Sequence, residues 1–290
     1  MGPLLFLCYI NDLPKSIKSK IRIYADDTLV YNIINNIDDC IQLQNDLLLL
    51  EEWANIWQMQ FNPSKCEYLT VTNKKSNYNF TYYINKVPIK AVQHAKYLGV
   101  TIDSKLTWKE HIKITTHKAN AVLAFLRRNL KPCSSHIKAK CYLGSIRPII
   151  EYACTVWAPH TAQDIDKIEM IQRRAARFVY NNYNIVSVSN MISSLGWPTL
   201  QTRRNYLKLL LTYKILKAMI SIPSDNFKPV TVNTRGYQFH FQCLQCTCDS
   251  YRFSFFPSSI RLWNCLPTDI TSVNTFNKFT EKLKQHFIDN

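Results

Sequence analysis

The sequence has 290 residues, enough for one large domain or two to three smaller ones with a buried core. Its 47% hydrophobic and 12% aromatic content excludes a disordered tail, and no apolar run approaches the ~20 residues of a membrane-spanning helix. The net charge of +16 is uneven, with 10 Lys and Arg against 10 Asp and Glu in residues 1–103, 19 against 5 in residues 104–220, and 7 against 5 in residues 221–290. The basic middle block predicts contact with a polyanion, and a set of solvated helix faces is the alternative.

The apolar start of the chain does not resemble a secretory signal. Residues 1–10 lack a basic n-region and a small-residue cleavage site, and a polar turn follows at residues 11–14. We therefore expect this segment to be a core element of a domain that begins upstream. Without a secretory signal, the 10 cysteines are predicted to be reduced and the protein intracellular, in the nucleus or the cytoplasm and not secreted.

Residues 1–103 combine short strands with one helix, which predicts an α+β fold. Residues 21–31 read as two strands around Asp26 and Asp27, because apolar residues alternate on both sides of the pair. A 3-4 spacing of apolar residues predicts a helix over residues 40–57. The other strands predicted here are residues 67–72, 80–84, 87–90 and 97–102, of which the second and third form a hairpin.

After residue 103 the sequence reads as mainly helical. Thr107 and Glu110 match the T-x-x-E pattern of a capping box, and an apolar stripe follows from residue 112 to residue 126. The other predicted helices begin at Ser134 or Ser135 with a bend near Pro148, begin at Thr161 with Asp164 in the cap, or span residues 200–220 and 274–288. The residues between the last two, 221–260, are predicted to be irregular.

Two adjacent aspartates at the tip of a hydrophobic hairpin require a chemical explanation. Aspartate is depleted in strands, neighbouring carboxylates repel, and a tight hairpin favours Asn-Gly or Asp-Gly. A divalent cation would relieve the repulsion between Asp26 and Asp27, since Mg²⁺ binds few carboxylates together with phosphate oxygens and water. With two ions ~4 Å apart, one activates an attacking 3′-hydroxyl and the other supports the leaving pyrophosphate. An exposed turn without chemistry is the alternative, because aspartate is a common turn residue.

Several motifs carry a family resemblance through their order along the chain. They are GPLLF at 2–6, YINDLP at 9–14, IYADDTLVY at 23–31, FNPSKCEYLTV at 61–71 and YLGVTIDSKLTWKEHI at 97–112. Together they resemble the later palm and the thumb of reverse transcriptases from non-LTR retrotransposons of the jockey or CR1 kind. QRRAARFV at 172–179 and SFFPSSIRLWNCLP at 254–267 resemble the segment that follows the thumb.

The resemblance implies a division of the chain and a set of partners. Residues 1–103 would be a truncated palm, made of a hairpin, a helix and a small antiparallel sheet. Residues 104–220 would be a basic helical thumb and connection, and residues 221–290 a C-terminal segment with an irregular aromatic and Cys-rich part and a final helix. The implied partners are an RNA template, a DNA primer and deoxynucleoside triphosphates, and no membrane.

The resemblance also implies roles for individual residues. Asp26 would be the principal ligand of two Mg²⁺ ions, with Mn²⁺ as an alternative, and Asp27 its auxiliary neighbour. Lys65 would lie near the nucleotide phosphates and protonate the departing pyrophosphate, although an ordinary loop lysine is the alternative. The residues that would contact primer or template are Tyr24, Ala25, Tyr97, Leu98, Gly99, Arg127, Arg128, Arg173, Arg174 and Arg177.

The sequence also departs from the family pattern. Another metal-binding aspartate, the gate that selects deoxynucleotides and the fingers would all precede Gly2. We therefore expect a fragment that is not a competent polymerase alone. A non-catalytic nucleic-acid-binding relic or reused fragment is the alternative. A third possibility, a function based on other interactions alone, would require that the basic block of residues 104–220 does not bind nucleic acid.

The C-terminal segment contains two weaker signals. His240, Cys243, Cys246 and Cys248 suggest zinc, but only one C-x-x-C pair has typical ligand spacing, so incidental or buried thiols are favoured. The second is the aromatic run at residues 251–263, which could stack on single-stranded nucleic acid or form a small core, and the core is slightly favoured.

Overall fold

The computed structural model describes residues 2–13, 17–74, 78–183, 187–230 and 240–289. About 55% of the protein is helical and the sheets are small, which agrees with the predicted α+β class. The chain divides into an N-terminal unit, Met1–Tyr97 with Ile102–Lys105, and a C-terminal unit, Leu98–Thr101 with Leu106–Asn290.

The N-terminal unit is built on two helices and several short strands. The helices are α1 (Gly2–Ile10) and α2 (Ile37–Ile56), and a 3₁₀ turn spans Pro63–Lys65. The strands are β1 (Lys20–Tyr24), β2 (Asp27–Tyr31), β3 (Glu67–Leu69), β4 (Tyr83–Ile84), β5 (Val87–Pro88), β6 (Lys90–Val92), β7 (His94–Tyr97) and β8 (Val100–Asp103), the last of which crosses the unit boundary.

The sheets of this unit are small, and one of them is not antiparallel as predicted. In the described part of the chain the strands associate as separate pairs, β1 with β2, β3 with β6, β4 with β5, and β7 with β8. The β3–β6 pair is parallel, with Glu67 opposite Lys90 and Leu69 opposite Val92. Parallel pairing requires a long crossover, and here the crossover contains the β4–β5 hairpin. Local patterns do not reveal which distant strand a segment will meet.

The helix α2 begins where Asn36 and Asp39 form a reciprocal capping box. One side of α2 packs against α1 and the β1–β2 hairpin through Leu50, Trp53 and Ala54, which are buried with Ile10. A second cluster lies around Cys40 and holds the β4–β5 hairpin through Tyr82, Ile84 and Ile89. The two clusters fix both hairpins on α2.

The N-terminal helix is less buried than the sequence predicted. Ile10 is buried and Phe6 packs against the same cluster. Leu4, Leu5 and Leu7 are instead 50–69% exposed. The expectation of a core element therefore holds for one side of α1 only.

Two tight turns explain how the remaining strands reverse. Asn85 and Lys86 adopt left-handed φ values of 51° and 61°, as expected for the predicted two-residue hairpin turn. The single strand predicted over residues 97–102 is wrong. Leu98 and Gly99 have φ values of 44° and 79°, and the chain reverses there between β7 and β8. Glycine adopts this conformation readily, whereas a leucine does so only when its surroundings hold it.

The C-terminal unit is helical in its described residues. The helices are α3 (Lys109–Asn129), α4 (Ser135–Cys141), α5 (Arg147–Glu151), α6 (Cys154–Trp157), α7 (Ala162–Tyr180), α8 (Val188–Ser194), α9 (Leu200–Leu216), α10 (Asp249–Arg252), α11 (Phe255–Asn264), α12 (Thr268–Thr271) and α13 (Phe276–Lys284). A π-helical turn at Tyr142–Ile146 joins α4 to α5, so the predicted bend precedes Pro148.

The principal core of this unit lies between α3, the α4–α5 segment and α7. Ile112, Ala119 and Leu123 of α3 meet Ile168 and Ile171 of α7 in one buried cluster. A second cluster joins α9 to the C-terminal helices through the fully buried side chains of Leu209, Phe279 and Leu283. The first cluster confirms that the predicted apolar stripe of α3 is a core face.

The helix starts predicted at Ser134 and at Thr161 are confirmed, and the one predicted at Thr107 is wrong. Thr161 accepts a hydrogen bond from the Asp164 amide and caps α7 as predicted. The predicted capping box of Thr107 and Glu110 does not form, because α3 begins at Lys109 and follows Trp108, which has a left-handed φ of 62°. Glu110 instead forms an exposed ion pair with Lys113, at 3.6 Å.

Candidate functional site

The aspartate pair lies at the tip of the β1–β2 hairpin. The strands pair antiparallel with Tyr24 opposite Asp27, which leaves Ala25 and Asp26 as the two turn residues. Ala25 has a φ of 52°. A positive φ at one or both central residues is what a two-residue hairpin turn requires. Asp26 and Asp27 are both exposed, one in the turn and the other at the first position of β2.

The hairpin is oriented by its apolar face. Ile21 and Ile23 pack against the cluster of Leu50 and Trp53 on α2. Val30 shares that face because it lies opposite Ile21, while Leu29 lies opposite Arg22 on the other face. Side chains alternate between the two faces of a strand, so burial of one face directs the other toward solvent.

A buried carboxylate fixes the base of the hairpin. Asp46 of α2 is fully buried and accepts hydrogen bonds from the amides of Lys18 and Ser19, at 3.1 and 2.7 Å. The Gln42 side chain donates a third, at 3.0 Å. These contacts tie α2 to the two residues that directly precede β1. Sequence reasoning missed Asp46, because an aspartate within a helix is ordinarily a solvated residue.

Of the predicted contact residues outside the hairpin, Tyr97 interacts electrostatically with Asp27. Partial burial raises its pKa, the negative charge of Asp27 raises it further, and Arg22 opposes the shift. The tyrosine therefore lies close enough to Asp27 to sense its charge. Neither the Asp26 nor the Asp27 carboxylate forms an ion pair or side-chain hydrogen bond with any residue that the structure describes.

Lys65 occupies the end of the 3₁₀ turn that precedes β3. Asn62 caps this turn by accepting hydrogen bonds from the Ser64 amide and hydroxyl, at 3.1 and 2.6 Å. Lys65 is exposed, and within the described ranges its side chain makes no ion pair with Asp26 or Asp27. The structure thus presents the lysine to solvent on a locally fixed turn.

The turn at Leu98 and Gly99 is held by a tyrosine of the same unit. The Tyr152 hydroxyl donates a hydrogen bond to the Leu98 carbonyl, at 2.8 Å. A Cβ on Gly99 would lie 3.2 Å from Tyr152 Cε1, closer than ordinary van der Waals contact. Both the backbone conformation and this neighbour therefore favour glycine at position 99.

The predicted basic residues lie on α3 and α7, which pack together. Arg127 and Arg128 are exposed in the last turn of α3. On α7, Arg173 is exposed, while Arg174 donates a hydrogen bond to Asn120 Oδ1 of α3, at 2.9 Å. Arg177 is half-buried, and its Nε atom is buried without a hydrogen-bond partner.

Arg127 and Arg128 line a cavity of about 580 Å³. The guanidinium of Arg127 lies over the Tyr183 ring, 4.8 Å from its centre. Lys131 and Tyr183 also line this cavity and were not singled out in the sequence. For Lys131 the available signal was its place in the basic run RRNLK at residues 127–131.

Other basic residues of this unit are internal. Glu151 binds the Arg203 guanidinium through both carboxylate oxygens and lies 3.8 Å from Arg147 Nε. Lys208 is buried and donates a hydrogen bond to Ser258 Oγ, at 2.9 Å, and burial lowers the pKa of its amine to about 8. Arg204 is 1% exposed. Sequence reasoning assigned none of these residues to the interior.

The C-terminal segment contains the His and Cys residues that suggested zinc and the aromatic run at residues 251–263. Among the described residues no group of three or more His, Cys, Asp or Glu side chains is placed to hold a metal ion. Cys243 and Cys248 are exposed thiols, and Cys248 Sγ lies 3.3 Å from Ser250 Oγ. In the aromatic run, Trp263 is buried and Phe255 and Phe256 pack against buried residues, as the preferred prediction had it.

Comparison with known proteins shows what the chain is similar to. Residues 1–102 match the reverse transcriptase (RNA-dependent DNA polymerase) family. The relatives are polymerases of non-LTR transposons. The probable RNA-directed DNA polymerase from transposon X-element of Drosophila melanogaster is 29% identical over 188 residues, which is 62% of this chain and 21% of the relative.

Two further relatives from Drosophila melanogaster show a similar degree of likeness. The probable RNA-directed DNA polymerase from transposon BS is 28% identical over 62% of this chain and 21% of its own length. The RNA-directed DNA polymerase from mobile element jockey is 26% identical over 61% of this chain and 20% of its own length. The chain thus spans about a fifth of these relatives. No solved structure matches the chain. None of the described helices is both long enough and apolar enough to traverse a bilayer.

Proposed function

We propose that this chain supplies the metal-binding hairpin and the nucleic-acid-binding helices of an RNA-directed DNA polymerase of a non-LTR retrotransposon. One observation supports this proposal above the others. Asp26 and Asp27 lie at the exposed tip of a tight antiparallel hairpin, and an apolar face fixes its orientation on α2. A carboxylate pair in this position, within a region that matches the reverse transcriptase family, suits nucleotidyl transfer.

The residues of the hairpin fit a divalent cation. Mg²⁺ uses one or two carboxylates and completes its octahedron with phosphate oxygens and water, and in the described chain no cation of the protein competes for Asp26 or Asp27. Asp26 would be the principal ligand and Asp27 the auxiliary one, for Mg²⁺ or Mn²⁺. When bound, the two ions would activate the primer 3′-hydroxyl and stabilise the leaving pyrophosphate.

The neighbouring side chains have roles that follow from their positions. Tyr24 and Ala25 flank the carboxylates at the hairpin tip and would lie beside the primer terminus. Tyr97, which senses the charge of Asp27, would help to hold that terminus, together with Leu98 and Gly99. Lys65 would carry a proton on Nζ for transfer to the departing pyrophosphate.

The division into functional domains belongs to the same proposal. Residues 1–103 would serve as the palm part, residues 104–220 as the basic thumb and connection, and residues 221–290 as the C-terminal segment. Exposed arginines of α3 and α7, notably Arg127, Arg128 and Arg173, would contact phosphates of the RNA template and DNA primer without reading their sequence. Deoxynucleoside triphosphates would be the substrates, and the polymerase would act in the nucleus or the cytoplasm.

A non-catalytic nucleic-acid-binding relic or reused fragment is the second candidate. The observation that favours it is that, in the part of the chain described, no third ligating side chain joins the two aspartates. We therefore expect nucleic-acid binding by the chain, but no primer extension by the chain alone.

The two candidates differ at the hairpin, and metal binding distinguishes them. We expect the chain to bind Mn²⁺, measured by electron paramagnetic resonance, and the substitutions Asp26→Asn and Asp27→Asn each to weaken that binding. Asp38→Asn is the matched control, because Asp38 is an exposed carboxylate on α2 of the same unit. Equal Mn²⁺ binding by all four proteins would favour the non-catalytic candidate.

A primer-extension assay on an RNA template with Mg²⁺ tests the expected lack of activity. Steady incorporation by the unmodified chain that disappears in Asp26→Asn would show a complete catalytic centre and overturn that expectation. Incorporation that persists in Asp26→Asn would come from a contaminant and leave the expectation standing.

A further inference from the structure

A cavity lies where α3 and α7 both end, within the C-terminal unit. Its volume is about 580 Å³, within the range typical of small-ligand sites. Its lining residues are Ala124, Arg127, Arg128, Lys131, Phe178, Asn181 and Tyr183.

The lining of this cavity is strongly cationic. Arg127, Arg128 and Lys131 contribute three positive charges, and none of the described lining residues carries a carboxylate. In the described ranges none of the three cations forms an ion pair. Like charges gathered without a counter-ion repel each other, so an anionic ligand would relieve a repulsion that the protein itself leaves in place.

The cavity also offers an aromatic surface beside the cations. Tyr183 is 50% exposed, and the Arg127 guanidinium lies 4.8 Å from the centre of its ring. A planar base can stack on a tyrosine ring or on a guanidinium plane. Exposed aromatic rings interleaved with phosphate-binding cations are the combination used to hold single-stranded nucleic acid.

We propose that this cavity binds an unpaired nucleotide of a single-stranded nucleic-acid segment, a proposal that rests on the polymerase function proposed above. Arg128 and Lys131 contact the flanking phosphates, and the base stacks on Tyr183 beside Arg127. The bases of a duplex are already covered on both faces by their neighbours, so a duplex can use the cations but not the ring. The cavity therefore discriminates between unpaired and paired nucleic acid.

Fluorescence anisotropy with the full chain tests this discrimination. The probes are a labelled oligothymidylate of about 12 nucleotides and a duplex of the same length. Tyr183→Leu removes the ring, and we expect it to weaken binding of the single strand about tenfold while changing duplex binding less than twofold. Tyr180→Leu is the matched control, because Tyr180 is 41% exposed at the end of α7 and does not line the cavity.

The phosphate contacts have a separate signature. Arg128→Gln should weaken binding of both probes and reduce the slope of log affinity against log salt by about one unit. Lys113→Gln is the control, because Lys113 is an exposed cation of α3 that is paired with Glu110. An unchanged salt slope in Arg128→Gln would contradict the assignment of this arginine to a phosphate.

The outcomes separate this inference from the broader proposal. If the chain binds both probes and Tyr183→Leu affects both equally or neither, the cavity inference is overturned and nucleic-acid binding stands. If the unmodified chain binds neither probe at low salt, the broader proposal fails as well. Displacement of the oligothymidylate by an equal charge of polyglutamate would overturn the inference in favour of an acidic protein partner.

A second measurement covers the case in which Tyr183→Leu does not fold. Tyr183→Trp keeps an aromatic ring in the cavity, and stacking of a base should quench its fluorescence when oligothymidylate is added. Tyr180→Trp should show no such change. Equal responses of the two tryptophans would contradict stacking at position 183.

Discussion

Removal of the buried Asp46 carboxylate should loosen the base of the hairpin that carries the aspartate pair. Asp46 is fully buried and accepts hydrogen bonds from the Lys18 and Ser19 amides and from Gln42. A hydrogen bond to a charged group contributes about 1.5–3 kcal/mol, and bonds that share one carboxylate are not additive. We therefore expect Asp46→Ala to lower the free energy of unfolding of the N-terminal unit by about 3 kcal/mol.

The pH dependence of this contribution has a defined sign. Burial acts to raise the pKa of Asp46, but the hydrogen bonds from Ser19, Lys18 and Gln42 prevail and hold that pKa below its usual value. A carboxyl group with a lowered pKa in the folded state stabilises the protein above its unfolded pKa of about 3.9. The contribution is then lost as the pH falls through the lower, folded value. The difference between the wild type and Asp46→Ala should accordingly shrink below about pH 4.

Hydrogen exchange measures this effect where it arises. The Ser19 amide donates to Asp46 at 2.7 Å, so its protection factor should fall in Asp46→Ala, and urea unfolding followed by tryptophan fluorescence should shift to a lower midpoint. Glu52→Gln is the control, because Glu52 is an exposed carboxylate on the same helix. Ser19 exchange as slow in Asp46→Ala as in Glu52→Gln would refute the reasoning.

Two further substitutions test features of the C-terminal unit. Gly99→Ala places a Cβ 3.2 Å from Tyr152 at a φ of 79°. It should lower the free energy of unfolding, measured with urea, by about 1–2 kcal/mol. Gly144→Ala is the control and should lower it less, because its Cβ would meet nothing within 4 Å. Lys208→Met should remove a pH dependence of stability. Burial lowers the pKa of Lys208 to about 8, below its unfolded value of about 10.4. The free energy of unfolding of the wild type should therefore rise as the pH increases from about 8 to about 10.4, and that of the methionine variant should not.

The β1–β2 hairpin could be predicted from the sequence because its signals are local. Apolar residues alternate on both sides of Asp26 and Asp27, which locates the hairpin, but the turn lies one residue earlier than predicted, at Ala25 and Asp26. The turn at Asn85 and Lys86 was predicted for the same reason. By contrast, the apolar run YLGVTI at residues 97–102 reads as one strand, and only Gly99 signals the reversal that the structure shows.

Features that depend on distant partners could not be predicted. The parallel pairing of β3 with β6 joins segments about 20 residues apart, and nothing within either segment specifies it. Asp46 becomes a buried acceptor only because the Lys18 and Ser19 amides fold against α2. Helix α8 was missed because it is short: Val188, Met191 and Ile192 have helical spacing and contact the core cluster, but seven residues give only one such repeat.

The net charge of residues 104–220 counts more cations than this part of the protein exposes to a polyanion. Five of the 19 cations in residues 104–220 have side chains that are largely buried. They are Lys138, Arg147, Arg203, Arg204 and Lys208. Of these, Arg147, Arg203 and Arg204 are paired with Glu151 or Glu169.

The acidic residues of the same block sharpen this distinction. Four of the five form ion pairs with cations of the unit, so their negative charge is already used in those pairs. They are Glu110, Glu151, Asp164 and Glu169. The exposed cations at the ends of α3 and α7 receive no such compensation in the described chain. Polyanion binding should therefore be concentrated around Arg127, Arg128 and Lys131, and substitutions there should reduce affinity more than equal changes of charge elsewhere on the unit.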